Sequence, residues 1–461
     1  ACGAADMDGR ELLMAYDKVV DSAQLDGAMT STANAIRAKS GGSGNIPWNA
    51  ATGFADAVAA IPSGGAVQES DINFYDYDGT LLYAWTLAEL AAKTALPELP
   101  TREGLTCQGW NWTLADLQEL GHKMNVGAIY ITDDGATRLH LNIPTNGVSV
   151  NAVFYQSYAQ RVSVDWGDGS EVETSGSAAL TTMPHTYAAA GKYIVSIMPL
   201  RSTMQIIIRL TGRMAAVCEE LNIGKNHVGF QAYAWDSSVL ALQKISLPAS
   251  YTYSTQDCLH ALRGTKFLAL PSGVPSIGTG DGTAYGTLQR LSIPKSVTEI
   301  KDFAFRVNSG LRDFYAPNAA CAIGQRVFEN CTALSDVVLP ASMTEIKFQT
   351  FYEGNRITSL QIPAGVTAIG GGAVFACRRL VSLTLPAGLT TIGASAFANC
   401  EAMQYYDFSA CTAVPTLDNA NAFTGIPSDC EIRVPASLAD EWKAATNWAT
   451  YADHIVGVST T

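Results

Sequence analysis

Apolar residues recur through the C-terminal half of the chain with a period of 23. Prolines stand at 248, 271, 294, 317, 340, 363 and 386, and the same pattern surrounds each. Six, three and one positions before the proline the residue is apolar, as in Leu288, Leu291 and Ile293, in Leu334, Val337 and Leu339, and in Leu380, Leu383 and Leu385. The last two alternate with a polar residue, which predicts a short half-buried strand. Proline then ends it, having no N–H for a ladder. A second apolar row follows six residues after the proline: Ile277, Ile300, Ile323, Ile346, Ile369 and Ile392. A third, eleven after it, holds Phe305, Phe328, Phe351 and Phe397, with Val374 in the gap. One unit of this size cannot bury three rows alone, whereas stacked units share a continuous core. The expectation over 201–411 is a right-handed solenoid of short parallel strands, seven or eight coils making roughly 35–40 Å at about 4.8 Å each.

Positions two and four before each proline should point away from that core. Unlike the core rows they vary, and they bring together Arg290, Ser292, Asp313, Tyr315, Asp336, Gln361 and Thr384. These residues form the candidate binding surface, for a protein or glycan. The plain alternative is a solvated β face.

The rest of the chain divides by pattern. Residues 1–65 are alanine-rich and helical in spacing (ELLMAYDKVV, LDGAMTSTANAIRAKS, ATGFADAVAAI), with PSGG at 62–65 as a flexible joint. So small-residued a segment is expected to pack against another chain. Residues 70–125 open with DINFYDYDGTLLYAW, two alternating strands about a D-G turn, and predict a small β module. Residues 126–200 are β-rich; Trp166 is placed to plug a core, and His185 and Tyr187 to lead into the last strand. MQIIIRL and VCEELNIGKN read as irregular first coils that cap the solenoid. Residues 412–461 are expected to close its other end, with Trp442, Trp448 and Tyr451 read as packing inside the cap rather than as a carbohydrate platform. The fold class is therefore mainly β and multi-domain.

Charge and chemistry narrow the function. A net charge of −13 argues against nucleic acid or anionic lipid as the partner. No apolar run approaches the roughly 18 residues of a membrane span, and no signal-peptide pattern opens the chain. The ten cysteines include Cys331, Cys377 and Cys400 at one repeat phase. That phase suits small buried wall residues, although Cys377 and Cys400 lie in adjacent coils where a bridge could form. The six histidines are scattered, and no hydrolase elbow, phosphate loop or dinucleotide motif is present. Cys258 and His260 stand at i and i+2 and would share a face in a strand, which reads as coincidence rather than as a nucleophile. No enzyme and no cofactor are expected. Asp165, Asp168 and Glu171 in DWGDGSE are a weak calcium candidate, with a hairpin turn as the stronger reading.

Four stretches resemble known families. LTLPAGLTTIGASAFANC and LQIPAGVTAIGGGAVFAC resemble BspA-like leucine-rich repeats of bacterial surface proteins, which implies binding or adhesion. WGDGS with HTYAAAGKYIVSI resembles the polycystic-kidney-disease (PKD) domain, which implies an immunoglobulin-like sandwich acting as a spacer or contact module. The D-G turn, Pro-x-x-Pro and G-x-x-x-x-G-W of 70–112 resemble the internalin B-repeat, departing from it where TLADLQELGHKM turns helical. LDGAMTSTANAIRAKSGGSGNIPWNAATGFADAVAAIPSGG resembles the N-terminal segment of phage and prophage tail proteins, which implies that residues 1–65 attach to other virion or surface proteins, or to further copies of the chain. Together they imply an extracellular receptor-binding protein on a virion tail, with a bacterial cell-surface adhesin as the alternative.

Overall fold

The computed structural model describes residues 67–156, 161–176, 180–201, 206–225, 241–250, 264–278 and 288–459. The expected N-terminal helices and the Cys258–His260 pair lie outside them. Residues 70–461 form one compact unit. The mainly β architecture and the 23-residue solenoid are as the sequence predicts, the solenoid making about nine turns where seven or eight coils were expected.

The unit opens with a β module. β1 (Ile72–Tyr75) and β2 (Leu81–Trp85) form the expected hairpin, turning at Asp78-Gly79 with Gly79 left-handed at φ +86°. Helix α1 (Leu87–Ala92) starts at a reciprocal cap, in which the Glu89 amide donates to Thr86 Oγ1 while Glu89 accepts from the Thr86 amide. β3 (Leu105–Trp110) and α2 (Leu114–Leu120) follow, α2 ending at left-handed Gly121. β4 (Met124–Thr132) then inserts between β1 and β3, in the order β2-β1-β4-β3. The module thus extends to Thr132, beyond the boundary at 125 expected from the pattern, because β4 finds both of its partners here.

A two-sheet sandwich comes next. β5 (Thr137–Ile143), β10 (Gly191–Pro199), β7 (Val162–Asp165) and β8 (Glu173–Thr174) run side by side; β6 (Val148–Gln156) pairs with β9 (Leu180–Tyr187) and β11 (Ile206–Arg209) in the second sheet. The apolar string at 206–209 is therefore a sandwich strand and not the first coil that it resembles in pattern. Trp166 is fully buried, and the Tyr187 hydroxyl donates to its carbonyl at 2.9 Å. The His185 ring stacks on Trp166 at 4.6 Å.

The sandwich runs directly into the solenoid. After helix α3 (Gly212–Val217), β12 (Cys218–Asn222) pairs antiparallel with β5 on one edge and parallel with β13 (Lys244–Ser246) on the other. One strand therefore belongs to both architectures, and the first coil needs no separate lid over its open edge. The core is continuous from Leu139 to Ile455.

Three ladders hold the coils together. Parallel three-residue strands such as Phe267–Ala269 and Arg290–Ser292 form the first, and the isoleucine row the second, paired Ile277–Ile300–Ile323 and Ile346–Ile369–Ile392. In the phenylalanine tier the rings of Phe305, Phe328 and Phe351 stack at 5.9 and 5.4 Å. Phe423 continues the column beyond Phe397 at 5.2 Å. Here the backbone is left-handed twice per coil, at Phe303, Arg326, Gln349, Gly372 and Ser395, and again at Val307, Asn330, Glu353, Ala376 and Asn399. Amides 303, 305 and 307 donate to carbonyls 325, 327 and 329 of the next coil at 2.7–3.0 Å. These inter-coil bonds hold a conformation that costs an L-residue roughly 1–2 kcal/mol. The cost is greatest at β-branched Val307, whose side chain is 48% exposed and so gains little by packing. Val307→Asn should raise stability by about 1 kcal/mol, read as an increased denaturant midpoint at unchanged slope.

The fixed-phase cysteines are buried. The thiols of Cys331, Cys377 and Cys400 point to the carbonyls of Phe305, Phe351 and Val374 at 3.0, 3.3 and 3.2 Å, each 26 residues earlier. Burial pushes the Cys400 thiol up to about 11. All eight cysteines among the described residues are free, Cys377 and Cys400 included.

The far end closes on aromatic residues. Strands Glu431–Pro435 and Ile455–Val458 add two parallel rungs, with Trp442 and Trp448 fully buried between them and the last coils. Tyr451 is 6% exposed and packs on Phe423.

Candidate functional site

The strand face is where the structure departs most from expectation. The side chains two and four before each proline do turn away from the solenoid core, but the β module lies across those of the early coils. Asn111 is the centre of the contact. Its Nδ2 donates to the carbonyls of Leu270 (2.9 Å) and Ser292 (3.3 Å), while its Oδ1 accepts from the Gly127 amide and the Ser292 hydroxyl, both at 2.9 Å. Trp112 Nε1 donates to the Ile293 carbonyl at 2.9 Å. Gly127 lets the backbones approach, since a Cβ there would stand 2.3 Å from Ala269 Cβ.

The candidate residues therefore divide into two groups. Arg290, Ser292, Asp313 and Tyr315 do not form an open surface, which corrects the expected exposure. Ser292 is fully buried, and Asp313 and Tyr315 are each 8% exposed. Asp313 accepts from Asn125 Nδ2 at 2.6 Å and pairs with Arg290 at 3.2 Å, while the Arg290 guanidinium lies over the Tyr75 ring. Tyr315 packs into the module core beside Trp112 and Phe74. Burial, then the charges of Asp313 and Asp336, push its hydroxyl far above the ordinary range. These are the groups by which the module recognises its own solenoid.

Asp336, Gln361 and Thr384 form the second group. They line a cleft of about 820 Å³ that opens where the module stops. One wall is the module: Asp71, Leu87 and the Gly121–Lys123 segment that follows the left-handed end of α2. The other is the strand face of three coils, where Gln361 and Thr384 are exposed. Asp336 joins the walls. Its Oδ2 accepts from Lys123 Nζ at 2.8 Å and from the Tyr315 hydroxyl at 3.0 Å, and the carboxylate raises the Lys123 pKa. His122 lies at the rim, and burial lowers its pKa, which favours a neutral ring. The cleft has the size of a small-ligand or single-sugar subsite and offers hydrogen-bonding groups from both walls.

Two carboxylates of the weak calcium candidate, Asp165 and Asp168, are turned to local use, while Glu171 is exposed. Asp168 Oδ1 accepts from the Ser170 hydroxyl and amide, at 2.6 and 3.0 Å, and Oδ2 bonds His185 at 2.8 Å. Those bonds, the Ser170 hydroxyl first, hold its pKa down to about 2. Asp165 accepts from the Gly167 amide within the same turn. Among the described residues no three histidine, cysteine or acidic side chains gather as a metal site.

The sequence did carry a signal for the covered coils. Their outward positions include Phe267, Ala269, Tyr315 and Val338, large or apolar where a solvated face would be polar, alongside the polar Arg290, Ser292 and Asp313, whereas Gln361, Thr384 and Asp407 are polar further along. Asn111 and Gly127 carried no such signal.

The family model for the BspA-type leucine-rich repeat region matches in six copies over 216–306 and 283–404. Residues 216–404 are a BspA-type leucine-rich repeat region. The match begins within α3, so it includes β12, the strand shared with the sandwich. Among solved structures, the leucine-rich repeat region is similar to a leucine-rich repeat protein from Bacteroides ovatus, at 19% identity and a TM-score of 0.40 over 52% of this chain and 66% of that one. A leucine-rich cell-surface protein from Faecalibacterium prausnitzii aligns at 22% identity and a TM-score of 0.29, over 44% and 62%. A leucine-rich repeat protein from T. pallidum aligns at 25% and 0.24, over 31% and 57%. The chain thus spans less than two thirds of the length of each. No curated protein matches it.

Proposed function

We propose that this is a non-enzymatic binding protein of the bacterial exterior, which takes a cell-surface protein or glycan in the cleft between its β module and its leucine-rich repeats. The observation that carries the reading is the cleft itself. The module covers the strand face from Phe267 to Tyr315 and stops, leaving Gln361 and Thr384 exposed beside a wall supplied by another part of the chain. Repeats extend a surface, and an added wall turns part of it into a concave site. Surface placement is supported by the BspA-type repeats and accords with the described residues, among which no helix is long and apolar enough to cross a membrane.

Thr384→Arg, filling the cleft from its exposed wall, should reduce adhesion to target cells or a glycan array at least tenfold with thermal stability unchanged. Equal binding by the variant would remove the cleft from the reading. A bacterial cell-surface adhesin is the form that the repeats support directly. The narrower form, a phage or prophage tail component attached through residues 1–65, rests on the tail-like string at 25–65, and tail and baseplate genes flanking this one would favour it.

A further inference from the structure

The opposite ends of the strands carry a second hollow with a different chemistry. It measures about 510 Å³ and is lined by Gln289, Ser309, Arg312, Thr332, Ser335 and Arg356 together with small residues. Ser309, Arg312, Thr332 and Ser335 lie in the segments leading into strands Asp313–Tyr315 and Asp336–Val338, whereas the cleft beside the module opens over the strands and past their ends.

Its charge is out of keeping with the chain. The protein carries −13 overall, yet this hollow holds two arginines and no carboxylate. Among the described residues, nine arginine–carboxylate contacts elsewhere show how readily this fold pairs its guanidinium groups, as in Arg306–Glu329 and Arg433–Glu431. Among the described residues the side chains of Arg312 and Arg356 have no ion-pair or hydrogen-bonding partner, and both residues are exposed. Arg379 repeats the Arg356 phase one coil further on. Two unpaired cations converging on a polar concavity leave positive potential that a nearby acid would have cancelled.

The geometry points to a binding site for a sulfated or phosphorylated saccharide. A guanidinium presents its donors as a planar fork that matches an oxyanion bidentately. Two forks on one hollow suit a tetrahedral anion, whose oxygens can face both, better than a single planar carboxylate. The neutral lining favours a substituted ion over a bare one: a lone sulfate would engage the two guanidinium groups and leave Gln289, Ser309 and Thr332 to solvent, whereas a saccharide bearing the ester extends over them. Ser309, Thr332 and Gln289 would supply neutral hydrogen bonds to ring hydroxyls. This site is separate from the cleft and does not depend on the function proposed for it.

The test uses the full chain and four probes followed by calorimetry: a 6-O-sulfated disaccharide, its 6-phosphorylated counterpart, the neutral parent, and inorganic sulfate. Saturable binding of one or both esters, at least tenfold tighter than the neutral sugar and inorganic sulfate, is expected. Which ester binds tighter identifies the source of the anion. Arg312→Gln and Arg356→Gln should each weaken binding about tenfold and together abolish it, with melting temperature unchanged and Thr384→Arg without effect. No ester binding by the wild type, equal binding of the neutral sugar, or equal binding by the double variant would overturn the assignment. Tight binding of inorganic sulfate without gain from the sugar would overturn the saccharide.

Discussion

Gly127→Ala should loosen the β module from the solenoid, and Ala269→Gly in the same chain should restore it. Gly127 has ordinary strand geometry in β4, so a methyl group meets no backbone penalty of its own. What it meets is Ala269, with Cβ atoms 2.3 Å apart and the Ala269 Cα at 3.3 Å. Neither atom is the end of a flexible side chain, so backbone must move. Overpacking of this kind costs about 1–3 kcal/mol. The shift would also break the four hydrogen bonds that converge on buried Asn111, leaving groups without water or partner. Hydrogen exchange should quicken around 111–127 and 267–293, while the C-terminal coils keep their protection. The double variant isolates the steric cause, because removing the second methyl restores the space. Protection unchanged in Gly127→Ala would mean that the contact is not the close one described. Failure of Ala269→Gly to recover it would place the effect elsewhere.

Trp448→Ala should destabilise the C-terminal end by about 3–5 kcal/mol. The ring is fully buried, donates from Nε1 to the Pro415 carbonyl at 2.7 Å, and packs against Phe408, Phe423 and Trp442 at 4.5–5.7 Å. Those partners belong to the last coils and the cap, so one truncation opens a cavity and strands a carbonyl. In a stacked-repeat protein such damage spreads through nearest-neighbour contacts. Exchange should therefore rise first over 405–458 and last in the coils around Ile300. A loss below about 1 kcal/mol, or fraying that begins at the sandwich, would contradict this picture of the cap.

Several features could be read from residue pattern because they repeat. Isoleucine every 23 residues can serve only a stack of equivalent coils, and the stacked column of Phe305, Phe328 and Phe351 follows from the same count. Trp442 and Trp448 were legible for a related reason: an open solenoid end must be covered, and large aromatic residues lie just after the repeats. The hairpin at Asp78-Gly79 and the burial of Trp166 rest on local turn chemistry and side-chain size. The twice-per-coil left-handed backbone was not legible, since Val307 and Phe303 are residues that ordinarily avoid it. Only the inter-coil hydrogen bonds select that conformation.

Sequence alone thus determined the period, the three inward rows, the closed C-terminal end and the division of each strand into core-facing and outward residues. Each depends on neighbours related by a fixed count along the chain. The tertiary structure decided what the outward residues face. Ser292 and Gln361 hold the same repeat position, yet one is sealed beneath Asn111 and the other is open to solvent. A module that ends about 160 residues before Ser292 makes that difference, through a glycine, an asparagine and a tryptophan whose partners lie 142–181 residues away. No periodicity links such distant residues, so the cleft existed only once the chain had folded over itself.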